Sequence, residues 1–280
     1  MSLQYLYSVI LEISARTDAI VPATTGHQAH ALFLDLVHQI DPSLSARLHD
    51  DPHYRPFTVS ALSGAQERNA TLFLQANQIY RLRFTFLDGG PLWHCLSDHF
   101  LAVREMKVLL GSTDFTLQRV LSTAANDATG WAGYIGWQTL ATKVPCNSIT
   151  IQFASPTAFS LGERIFSLFP EPILVWDSLM RTWNLYAPEI LQMDKLAMRE
   201  FVKAHVVISD YDLHTTMLHF PKYKQKGFMG TCTYIIKRSS EYAAQLAALA
   251  EFARYAGIGY KTTMGMGQAR VEKCQKENPS

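Results

Sequence analysis

Apolar residues alternate strictly over residues 3–13, with Leu3, Tyr5, Tyr7, Val9, Leu11 and Ile13 on one face, and this period of two predicts an opening strand. Thr24 or Thr25 is placed to cap a helix whose stripe is Ala29, Leu32, Phe33, Leu36, Val37 and Ile40. Asp41-Pro42 reads as the N-cap and first residue of a second, short helix over 42–48, ending near Asp50. Strands are predicted over 57–62 and 79–86, the latter with Tyr80, Leu82, Phe84 and Phe86 on one face and Arg81 and Arg83 on the other. A mixed helical stretch near 90–105 and a β-like stretch to about 121 complete the first half. Residues 124–145 are richer in Gly, Ala and Thr and mark a boundary.

The second half opens with a strand at 148–153 and continues with helices near 173–186 and 190–202. Three strands are expected near 204–209, 213–219 and 228–237, then a helix over 240–256 and a closing strand over 268–273. Strands flank helices in each half. The fold class is therefore α+β, with two sandwiches in tandem, although no sequence-level repeat accompanies that order.

The 280 residues are 48% apolar, which allows one large domain or two of about 130 residues. No apolar stretch is long enough to span a bilayer, and Met1-Ser2-Leu3-Gln4-Tyr5 lacks the basic start of a signal peptide. Cys95, Cys146, Cys232 and Cys274 form no close pair, so neither a zinc ribbon nor a disulfide framework is expected, and a reducing cytoplasm is. Net charge is only +1, yet residues 221–280 carry ten Lys/Arg against four Glu, a local +6 that leaves −5 elsewhere. Such a basic quarter suits a polyanion.

The most distinctive local feature is Gly257-Ile258-Gly259-Tyr260-Lys261-Thr262-Thr263-Met264-Gly265-Met266-Gly267, two Gly-x-Gly pairs around a Lys-Thr-Thr. The spacing is wrong for a P-loop, and the segment follows a helix rather than a strand, so a dinucleotide fingerprint fails as well. A glycine helix cap explains Gly257 but not the second pair. A loop exposing N–H groups beside Lys261 would instead suit a phosphate.

Ten histidines include no His-Glu-x-x-His, and no nearby Cys or acid completes a metal set around His27 and His30. There is no Gly-x-Ser-x-Gly elbow. His49 lies at the exit of the short helix, before Asp50, Asp51, His53, Tyr54 and Arg55, where a loop histidine can move protons near neutral pH. In an extended segment Lys222, Lys224 and Lys226 project from one face. That row either tracks a phosphate backbone or guards a sheet edge.

Three blocks together resemble the CRISPR-associated repeat-processing endoribonucleases of the RAMP superfamily. They are Asp41–His49 with Arg55-Pro56-Phe57-Thr58-Val59-Ser60, then Lys224-Gln225-Lys226-Gly227-Phe228-Met229-Gly230, and the glycine-rich loop ending Gly-Gln-Ala-Arg-Val. The resemblance implies two tandem ferredoxin-like (RRM-like) domains, taken as residues 1–130 and 145–280. It implies metal-independent cleavage in which the ribose 2′-hydroxyl attacks the adjacent phosphate, with no cofactor. His49 matches the catalytic histidine, with His30, Tyr54 and Arg55 as further catalytic candidates. RNA binding is expected from Lys222, Lys224, Lys226, Gly257, Gly259, Lys261, Thr262, Thr263, Gly265, Gly267 and Arg270. The implied partners are CRISPR repeat RNA and effector-complex subunits, with no membrane, for a cytoplasmic monomer or homodimer. Two competing readings are a non-catalytic RAMP-type RNA-binding subunit and a nucleotide-binding enzyme that uses the glycine loop.

Overall fold

The computed structural model describes residues 4–51, 54–103 and 106–275. They fall into two compact units. One comprises Met1–Tyr134, Leu218–Gln225 and Thr263–Gly265; the other comprises Ile135–Met217, Lys226–Thr262 and Met266–Ser280.

The first unit contains β1 (Tyr5–Ala15), β2 (Ala19–Pro22), α1 (Gly26–His38), α2 (Pro42–Asp50), β3 (Phe57–Val59), β4 (Gln66–Arg68), β5 (Thr71–Leu74), β6 (Ile79–Phe86), α3 (Pro91–Ala102), β7 (Lys107–Leu110), β8 (Thr113–Leu121) and the start of β9 (Gly133–Gly136). Its main sheet runs β3-β6-β1-β8-β7, with β9 also paired to β1. Strands β1, β3, β6 and β8 with helices α1 and α3 make the ferredoxin-like βαββαβ arrangement. The predicted stripes are what build the core: Val9, Leu11 and Ile13 of β1 and Tyr80, Leu82, Phe84 and Phe86 of β6 are buried with Ala29, Leu32, Phe33, Leu36 and Val37 of α1. A small sheet β2-β5-β4 was not foreseen, because its strands are only three or four residues long.

Glu12 faces away from that core and is 1% exposed. It pairs with Arg81 at 2.8 Å and Arg119 at 2.6 Å. Burial raises its carboxyl pKa, but hydrogen bonds from the two arginines outweigh that and hold it low.

The second unit contains α4 (Trp137–Ala141), β10 (Ser148–Thr157), β11 (Phe159–Gly162), β12 (Ile165–Ser167), α5 (Pro172–Tyr186), α6 (Lys195–His205), β13 (Val206–Phe220), β14 (Tyr223–Ile236), α7 (Glu241–Ala256) and β15 (Ala269–Gln275). Its sheet, β13-β14-β10-β15, repeats the same ferredoxin-like order. Trp137 and Trp183 meet edge to face at 5.0 Å in its core, beside Phe252 of α7.

Three expectations change here. The strands expected at 204–209 and 213–219 are one continuous strand. β13 is mostly exposed, so its pairing, not its burial, keeps it extended, and Gly230 lets the Asp212 carbonyl approach closely. α6 starts at Lys195 rather than near 190, because Asp194 accepts the amides of Leu196 and Ala197 as a cap. Cys146 and Cys274, 128 residues apart, are joined as a disulfide, against the expectation of none. Pairing of β10 with β15 brings them together, with Ile149 opposite Cys274, an adjacency that sequence spacing conceals. No helix among the described residues is long and apolar enough to cross a membrane.

Candidate functional site

α2 has a firm start. Asp41 accepts the Leu44 amide at 2.9 Å and Pro42 follows at the first helical position, so His49 falls in the last turn. The His49 side chain is 71% exposed, with Nδ1 2.8 Å from the Asp50 carboxylate. A carboxylate only accepts, so Nδ1 carries the hydrogen and Nε2 faces outward to exchange a proton.

His30 lies on α1, beside the apolar stripe. Its Nδ1 is 2.8 Å from the Thr263 carbonyl, which again makes Nδ1 the donor and leaves a lone pair on Nε2. The ring stacks on Phe57 at 5.6 Å. Burial, foremost, pushes the imidazole pKa down; the positive charges of Arg55 and His49 push the same way, and the Thr263 carbonyl opposes them. Arg55 and His49 therefore both lie within electrostatic reach of His30. Tyr54 packs against the core under the Arg47 guanidinium, 3.8 Å from its ring centroid. Burial, then Asp88, raises its phenol pKa, so it remains protonated. His53 lies outside the described residues.

In the glycine-rich segment, several backbone amides are spent inside the fold. The Gly257 amide caps α7 through the Ala253 carbonyl, the Gly259 amide goes to Ser178 Oγ at 2.8 Å, and the Gly267 amide goes to the Pro156 carbonyl. Ile258, Tyr260 and Met266 also spend their amides on backbone carbonyls. The glycines permit close packing. A Cβ at Gly267 would strike the Ile258 carbonyl, and one at Gly259 would lie 2.5 Å from the Ala158 carbonyl. The Thr262 methyl packs against Gly257 and Gly267. Thr263 is buried and offers its carbonyl to His30 rather than its hydroxyl to a ligand. Gly265, also buried, bridges to Ser60. Lys261 is half-buried, and burial lowers its ammonium pKa against the opposing influence of Tyr260.

Lys222 lies in the turn between β13 and β14, so the expected three-lysine strand face is reduced to Lys224 and Lys226, exposed on either side of the buried Gln225. Nor is β14 a sheet edge, since it runs between β13 and β10. Arg270 donates to Gln152 at 2.9 Å. Among the described residues no group of three His, Cys, Asp or Glu is arranged to hold a metal ion. A groove of about 480 Å³, lined in part by Trp93, Phe100, Leu101 and Val120, includes neither histidine.

Comparison with known proteins gives concordant matches. The family profile "CRISPR Cas6 N-terminal domain" matches residues 5–142, and "CRISPR-associated endoribonuclease Cas6" matches residues 151–269. A curated CRISPR-associated endoribonuclease Cas6 of Streptococcus thermophilus is 28% identical over 127 residues, 44% of this chain and 50% of that protein. One from Mycobacterium tuberculosis is 30% identical over 131 residues, 44% of this chain and 40% of that protein. The chain thus spans about half or less of the length of the curated relatives it matches. A solved Cas6 product complex superposes with a TM-score of 0.76 at 28% identity, covering 95% of this chain and 99% of that one. Thermus thermophilus Cas6 does so at 0.75 and 26%, covering 97% and 100%.

Proposed function

From the premise that the chain belongs to the Cas6 family of CRISPR-associated endoribonucleases, we propose that it cuts precursor CRISPR RNA within its repeats. The ribose 2′-oxygen attacks the neighbouring phosphorus, the P–O5′ bond breaks, and the products carry a 2′,3′-cyclic phosphate and a 5′-hydroxyl. DNA lacks the nucleophile and is not cut.

Proton transfer is assigned to two histidines of one unit. His30 presents a neutral ring whose Nε2 lone pair takes the 2′-hydroxyl proton, while the Thr263 carbonyl fixes its tautomer. His49, exposed and oriented by Asp50, gives a proton to the departing 5′-oxygen. Arg55 offsets charge on the phosphorane, and Lys222 and Lys224 hold the RNA backbone. Side chains supply every step, so the reaction proceeds in a chelator. The observation that carries this reading is an oriented, exposed histidine and a partly buried, carbonyl-anchored one in the same unit.

An RNA with sulfur in place of the bridging 5′-oxygen separates the two roles, because a thiolate leaves without a general acid. His49→Ala and His30→Ala should each slow the natural RNA by about 10²–10⁴-fold. The sulfur substrate should restore His49→Ala and leave His30→Ala slow. Restoration of His30→Ala alone would reverse the assignment. If neither substitution slows cleavage, both are removed from the chemistry.

A further inference from the structure

Three tyrosines of the first unit meet at the surface where β1 begins. The ring centroids of Tyr5 and Tyr7 are 6.2 Å apart, those of Tyr5 and Tyr134 5.7 Å, and those of Tyr7 and Tyr134 6.0 Å. Tyr7 rests on Trp93 at 6.0 Å and meets His94 edge-on at 5.9 Å. Tyr134 is 57% exposed. Among the described residues none of the three hydroxyls has a protein hydrogen-bond partner. Core packing accounts for Tyr7, which is half-buried against the hydrophobic cluster, but not for an open face of three rings with three unused hydroxyls.

Sheet register links this face to the cleavage site. Phe57, on which His30 stacks, lies opposite Phe86, and Phe86 lies opposite Tyr7, so Phe57, Phe86 and Tyr7 occupy one row across β3, β6 and β1. β9, which carries Tyr134, pairs with β1 and adds a third step. Three strand spacings amount to roughly 14 Å, which about four nucleotides cover at a stacked rise of about 3.4 Å. Asp88, whose carboxylate accepts the amides of Gly90 and Leu92 at the start of α3, acts electrostatically on both Tyr7 and Tyr54.

We propose that Tyr5, Tyr7 and Tyr134 form a stacking platform for unpaired RNA bases that flank the scissile phosphate. Aromatic faces accept any base, and the hydroxyls add hydrogen bonds to base edges, so the platform lengthens the recognised RNA without fixing its sequence strictly. This inference rests on the RNA-cleaving reading above.

The test is a binding cycle on repeat RNA carrying a 2′-deoxy ribose at the cut, which prevents turnover. It uses wild type, Tyr134→Ala and Tyr134→Phe against intact RNA and against RNAs with four abasic nucleotides on one flank or the other. Tyr134→Ala should weaken intact RNA by about tenfold, and this loss should vanish on the RNA lacking bases on the contacted flank. Tyr134→Phe should retain most of the affinity. Equal weakening of intact and abasic RNAs, or none, overturns the platform. Failure of wild type to cleave all-ribose repeat RNA would instead contradict the function proposed above, and intact cleavage without this coupling contradicts the platform alone.

Discussion

At the scale of the residue, one carbonyl sets the tautomer of the proposed base. Because the Thr263 oxygen can only accept, His30 holds its hydrogen on Nδ1 and its lone pair on Nε2. Burial and neighbouring positive charge then keep the ring neutral below the ordinary histidine value of about 6.5. As the base, His30 should let the cleavage rate persist as pH falls through that value, failing only when the buried ring protonates. Stability has the same sign: the contribution of a neutral His30 is complete above the unfolded value and is lost as pH falls through the folded one. A single-turnover rate profile checks this, and an acidic limb centred on an unperturbed histidine would contradict it. The place of His49 in the last turn of α2 was legible in the sequence, because Asp41-Pro42 announces that helix. His30 was named there as a further candidate, but its contact with the Thr263 carbonyl was not legible, because that partner lies 233 residues away.

At the scale of the element, the glycine-rich segment is read better as packing than as a phosphate loop. A Cβ on Gly26, the first residue of α1, would strike the Met264 carbonyl and lie 2.8 Å from Gly265 Cα. Gly26→Ala should lower stability by about 1–3 kcal/mol, seen in thermal melts. It should also slow cleavage by shifting the Thr263 carbonyl away from His30. Glu12 gives a second element-scale prediction. Glu12→Gln breaks the ties from β1 to Arg81 of β6 and Arg119 of β8, and should cost about 1–3 kcal/mol. The contribution of the carboxylate is present above its unfolded pKa and disappears as pH falls through the depressed folded value. The variant should therefore differ from wild type at neutral pH and converge with it in acid, which denaturant unfolding at several pH values measures. Helices and the β6 stripe were legible because their periods are long and regular. The short strands β4 and β5 were not, since three or four residues carry too little pattern.

At the scale of the whole molecule, two ferredoxin-like units repeat one strand order without a visible sequence repeat. Their shared logic is burial on alternating positions, which many sequences satisfy, so element order gave two α+β sandwiches and the family resemblance gave their ferredoxin-like form. The Cys146–Cys274 disulfide closes a 128-residue separation within the second unit. Chain-entropy reasoning puts its contribution at up to about 4–5 kcal/mol. A reductant should lower the Tm of wild type and leave Cys274→Ser unmoved; an unmoved wild type would contradict the bond's contribution. The central claim is that this protein cuts repeat RNA through its own 2′-hydroxyl. The most direct measurement incubates it in EDTA with repeat RNA, all-ribose or bearing one 2′-deoxy ribose at the cut, and analyses the product ends. The account predicts a 2′,3′-cyclic phosphate from the first RNA and no cut in the second. Cleavage of the deoxy substrate, or a requirement for added metal, would contradict it.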